Sequence, residues 1–104
     1  MAVPYEVRFA ASVKAQLHDL HAHKRALVLD AIETQLTHEP LVETTNRKPL
    51  RPNPLAPWEL RIEDLRVFYD VSPEMPDVPK VATVLAVGEK QGNILRIAGE
   101  EIKL

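Results

Sequence analysis

The sequence predicts one α+β domain: an N-terminal strand, an α-hairpin, then an antiparallel β-sheet, with the helices on one face of that sheet. Three observations predict it. Apolar and polar residues alternate over residues 4–9 and again over 58–71, the period of a half-buried strand. Between them, over 13–37, apolar residues recur at helical spacing. A continuous apolar run at 80–87 then suits a central strand covered on both faces.

In chain order, Tyr5, Val7 and Phe9 point one way and Glu6 and Arg8 the other, with Pro4 at the strand's start. Ser12 is placed to cap a helix that begins at Val13 and carries Leu17 and Leu20 on one side. A second helix is expected from about Lys24 to Thr37, with Leu29, Ile32 and Leu36 as its apolar stripe and Leu27, Val28 and Ala31 beside it. His21-Ala22-His23 falls at the bend, and Pro40 stops the second helix. Five prolines between residues 40 and 57 argue against sheet there, because proline lacks a ladder donor, and for a long functional connection. Over 58–71, matching the apolar faces sets a hairpin register. Trp58 faces Tyr69, Leu60 faces Val67, Arg61 faces Arg66, and Glu63-Asp64 turns the chain. Leu60 and Val67 belong in the core, with Arg61 and Arg66 on the outer face. Residues 72–79, with three prolines, form a loop, and Gly88 ends the strand that begins at Lys80. The tail from Asn93 is too apolar to float free, but its pattern does not type it.

Composition narrows the function. The chain of 104 residues supports a single modest core, and no repeat or composition shift divides residues 1–104. Hydrophobic residues at 45% and charged residues at 27% exclude disorder across the whole chain. With no cysteine there is no disulfide, no thiolate metal site and no cysteine nucleophile, which fits a reducing cytoplasm. No membrane-spanning apolar run and no signal peptide are expected. No GxGxxG, P-loop or GxSxG occurs, which argues against a nucleotide cofactor. The net charge of −2 runs against a nucleic-acid binder, yet residues 46–62 hold Arg47, Lys48, Arg51 and Arg61 against Glu59 alone.

The Arg61–Arg66 pair is the sharpest chemical feature. Like charges directly opposite on a hairpin are destabilising. Two readings fit: the guanidiniums share a phosphate, or both reach solvent with Glu59, Glu63 or Asp64 as counter-ions. Arg47, Lys48 and Arg51 either extend this basic surface or sit on a solvated loop. Lys90 either meets phosphate or is an exposed turn lysine. His18 and His21 have ligand-compatible spacing, but no carboxylate pattern completes a metal motif, so His18, His21, His23 and His38 read as surface histidines.

The run Trp58-Glu-Leu-Arg-Ile-Glu-Asp-Leu-Arg-Val-Phe-Tyr-Asp-Val71 resembles the central hairpin of RelE/ParE-type toxins, with Arg66-Val67-Phe68-Tyr69 the best-matching part. Val84-Leu-Ala-Val-Gly-Glu-Lys90 is similar to the family's next strand, and the order of earlier elements agrees. The resemblance covers nearly the whole chain. It implies a toxin of a type II toxin–antitoxin system, held by a cognate antitoxin, that enters the ribosome and cuts mRNA. The substrate's own 2′-hydroxyl attacks, so no metal or other cofactor is implied. Arg61, Arg66 and Lys90 match the family's catalytic basic positions, and Arg47, Lys48, Arg51 and Arg96 are the expected RNA contacts. The sequence departs from the pattern in having no Tyr after Tyr69 and no His after His38, groups that many active members use for proton transfer. Glu59 stands where some members have another basic residue. ParE-like members, which inhibit DNA gyrase without RNA chemistry, and a scaffold that only binds antitoxin are the alternatives.

Overall fold

The central hairpin follows from alternation. In the computed structural model, which describes residues 3–103, β3 (Trp58–Ile62) and β4 (Leu65–Val71) pair antiparallel. Trp58 lies opposite Tyr69, Leu60 opposite Val67 and Arg61 opposite Arg66, the expected register. Glu63-Asp64 is the two-residue turn, and Glu63 takes the unfavourable positive φ of 54° that such a turn demands.

Around this hairpin lie β1 (Glu6–Phe9), α1 (Val13–His18), α2 (Ala22–Leu36), β2 (Arg47–Pro49), β5 (Val81–Gln91), β6 (Ile94–Ile97) and β7 (Glu100–Ile102). The strand order is β2-β3-β4-β5-β6-β7, antiparallel throughout, while β1 runs parallel along the first half of β5. Sheet residues Leu60, Leu65, Val67, Tyr69, Ala82, Val84 and Val87 meet Val13, Val28, Ile32 and Leu36 of the helices in the main core. The other face has its own smaller core of Phe68, Ala86, Leu95, Ile97 and Ala56, packed against Leu50 and Leu55 of the proline-rich segment. Asn53 holds that segment: its Oδ1 accepts from the backbone N–H groups of Leu55 and Ala56, and its amide donates to the carbonyls of Arg51 and Ala56.

Five expectations change. The segment 40–57 is not free of sheet: Arg47–Pro49 pairs with Trp58–Leu60 of β3, and Pro49, opposite Trp58 as the last residue of an edge strand, costs no ladder bond. Gly88 does not end its strand; β5 continues to Gln91, and Gly88 lies beneath β6, where a Cβ would stand 2.6 Å from the Arg96 carbonyl oxygen. The buried stripe of α2 is Val28, Ile32 and Leu36, with Leu29 exposed one hundred degrees away. Ala22 and His23 belong to α2, leaving only His21 at the bend. Finally, the sheet is mixed, through β1. The untyped tail is a hairpin, β6–β7, closed by Ala98 and Gly99 at φ 52° and 81°.

Candidate phosphate-binding groove

Alternation fixes which side chains share the outer face. Glu59 and Arg61 on β3, Arg66 and Phe68 on β4, and Lys90 on β5 all point away from the helices. With Asn93, Ile94, Leu95, Glu101, Ile102 and Lys103 from the C-terminal hairpin they line one open groove of about 330 Å³. The three residues expected to carry the chemistry, Arg61, Arg66 and Lys90, therefore converge.

What lies between the two arginines is a carboxylate. Glu59 Oε1 accepts a hydrogen bond from Arg61 Nε at 2.8 Å and sits 3.2 Å from Arg66 Nε. The Glu59 side chain is 8% exposed, Arg66 14% and Arg61 44%. The two cations opposite one another are thus reconciled by an internal counter-ion, one of the three that the sequence offered. Neither Glu63 nor Asp64 has that role; the Asp64 carboxylate instead meets Lys24 of α2, which also bonds Glu89. The Glu89 hydrogen bond, partly opposed by burial and reinforced by Asp64, raises the Lys24 pKa.

The arginines differ in what they have left to offer. Arg66 Nη1 donates to the carbonyls of Glu63 and Leu65, both at 2.8 Å, so it clamps the strained turn as well as Glu59. Only Nη2 remains for a ligand. Both Nη groups of Arg61, and the Lys90 ammonium, have no partner among the described residues. Lys90 is positioned by its own backbone N–H, which donates to the Asp64 carbonyl at 2.6 Å.

The expected RNA contacts fare differently. Lys48 is on the groove's face, in register with Glu59. Arg47 points the other way and is buried: it donates to the carbonyls of Val42 and Gln35 and to Gln35 Oε1, tying the end of α2 to β2. It is no part of the basic surface. Arg51 lies in the proline-rich segment and lines a separate depression. Arg96 alternates with Leu95 and Ile97 of the outer core, so it projects from the opposite face. The four histidines are exposed and scattered. Glu101, Lys103 and Asn93 are groove residues that the sequence did not point to, because the tail showed no legible register.

No family model matches the sequence, and no curated protein matches it. Among solved structures, a chain of the toxin–antitoxin complex RelBE2 from Mycobacterium tuberculosis is similar: TM-score 0.69 and 28% identity, covering 85% of this chain and all of the other. A shared fold of that extent, with the hairpin motif in its expected register, supports a toxin of the RelE superfamily.

Proposed function

We propose that this chain is the toxin of a type II toxin–antitoxin module and that it cleaves mRNA on the ribosome by metal-independent transphosphorylation. The observation that carries the reading is the convergence of Arg61, Arg66 and Lys90 on one groove. Its structural neighbour comes from a toxin–antitoxin complex, which supports a cognate antitoxin as partner. In the reaction the RNA 2′-oxygen bonds to the adjacent phosphorus and the bond to the 5′-oxygen breaks. That leaves a cyclic phosphate on one strand and a hydroxyl on the other. The free donors of Arg61, Arg66 Nη2 and Lys90 stabilise the charge that grows on the phosphorane oxygens. The 2′-hydroxyl proton passes to a groove carboxylate, and Lys90 donates to the leaving oxygen. Such a protein works in the cytoplasm, where its ribosomes are. Of the expected RNA contacts, Lys48 extends the cationic surface from the groove along the outer face.

One observation favours a second reading. The Glu59 carboxylate halves the charge offered by the arginine pair, which suits a ParE-like gyrase inhibitor or an antitoxin-binding scaffold better than a nuclease. Purified ribosomes programmed with a defined mRNA separate these. The nuclease yields new 5′ ends within the message on adding the chain, and none once its antitoxin is bound. Intact message together with blocked DNA supercoiling by gyrase establishes the second reading instead.

A further inference from the structure

We propose that Glu59 is a specificity-determining residue: fixed between Arg61 and Arg66, its carboxylate shifts the groove's selectivity away from the doubly charged phosphate of a strand end and towards the singly charged phosphodiester of an intact strand. The proposal rests on the groove being a phosphate site and names which phosphate it accepts.

Glu59 has no easy way out of the groove. It sits on β3, between β2 and β4, with its side chain 8% exposed and one oxygen shared by two guanidinium Nε atoms. Swinging away leaves the largely buried Arg66 without its carboxylate partner, a costly outcome for a desolvated charge. A ligand therefore does not displace Glu59. It binds beside it, on the donors that remain: both Nη groups of Arg61, Nη2 of Arg66 and the Lys90 ammonium. The two arginines flank the carboxylate, so a phosphate held by them lies within a few ångströms of a fixed negative charge.

The consequence depends on ligand charge. At about 6 Å, with partial screening by solvent, repulsion from one carboxylate lowers affinity roughly tenfold for each unit of ligand charge. A diester carries one negative charge and a terminal monoester carries nearly two above its second ionisation near pH 6. The monoester also sheds more hydration on entering. Glu101 on the groove's rim adds to the same bias. Glu59 thus moves the balance towards an internal phosphate of a continuous strand and away from a terminal monoester.

The test compares two probes of similar size on the full chain, dimethyl phosphate and methyl phosphate, with binding read from the NMR resonances of the Arg61 and Arg66 Nε–H groups. Glu59→Gln, which keeps an acceptor for Arg61 but no charge, strengthens methyl phosphate roughly tenfold more than dimethyl phosphate. An unchanged ratio of the two affinities in Glu59→Gln overturns the proposal. Glu59→Ala removes the charge by a second route and guards against a folding defect in the first variant. It too strengthens methyl phosphate more than dimethyl phosphate, and an unchanged ratio overturns the proposal. If neither probe moves the Arg61 resonance in either protein, the groove is not a phosphate site, and the reading beneath the proposal fails with it.

Discussion

Glu59 Oε1 lies 2.8 Å from Arg61 Nε, an ion pair between residues two apart on one strand, placed where the sequence offers either a shared phosphate or a carboxylate counter-ion. The same oxygen reaches Arg66, so the two arginines have become unequal. Arg66 is enclosed and committed to the turn; Arg61 is half exposed with its outer nitrogens free.

Stability and activity should therefore separate between them. Arg66→Ala removes two hydrogen bonds to the turn and leaves Glu59 poorly compensated, at a cost of about 2–4 kcal/mol. Arg61→Ala breaks a half-exposed pair and costs at most about 1 kcal/mol. Urea unfolding of the two variants checks the order. Equal losses contradict the structural role given to Arg66.

Leu60 and Val67 oppose each other at the centre of the main core, both fully buried. Leu60→Ala leaves a cavity between sheet and helices, and denaturant melts should show a loss of about 2–5 kcal/mol. A loss below about 1 kcal/mol means that the hairpin does not pack as described.

Tyr69 donates from its buried hydroxyl to the Pro40 carbonyl at 2.6 Å. Burial drives its pKa well above the usual tyrosine value, with nearby Arg47 only partly opposing. The folded pKa is raised, so the contribution is full below about pH 10, the unfolded value, and is lost as pH rises towards the folded value, by up to about 1.4 kcal/mol per pH unit. Tyr69→Phe leaves the Pro40 carbonyl without its partner and costs about 1–2 kcal/mol at neutral pH. That deficit should shrink above about pH 10, where only wild type must bury or neutralise a phenolate. A deficit that stays constant through the alkaline range contradicts the assignment.

Gly88 is opposite Arg66 in the ladder and beneath β6. In Gly88→Ala the new methyl meets the Arg96 carbonyl oxygen at 2.6 Å and Ile97 Cγ1 at 2.7 Å, and backbone has to move. A destabilisation of about 1–3 kcal/mol is expected, with the β6–β7 hairpin losing amide-exchange protection first. Unchanged protection in that hairpin contradicts the close approach.

The hairpin register and the placing of Arg61 opposite Arg66 were legible from strand alternation, and the α-hairpin from apolar residues at helical spacing. What was hidden has local physical reasons. β2 is three residues long and ends in proline, so composition masks it. Gly88 reads as a terminator, yet its missing Cβ serves a crossing strand. Arg47 looks like its basic neighbours, and nothing local reveals that Gln35 and Val42 supply acceptors inside the fold. Glu59 shares Arg61's face by simple alternation, a signal that was present and weighed as one counter-ion among three.

The most direct measurement of the central claim is transcript 5′-end mapping after inducing wild type and Arg61→Ala in cells lacking the antitoxin. The account predicts growth arrest with new ends at codon boundaries in wild type. In folded Arg61→Ala, cleavage slows by about 10²–10³, the usual consequence of removing one oxyanion-stabilising donor. Growth arrest with intact transcripts and accumulating DNA breaks, or undiminished cleavage by Arg61→Ala, would contradict it.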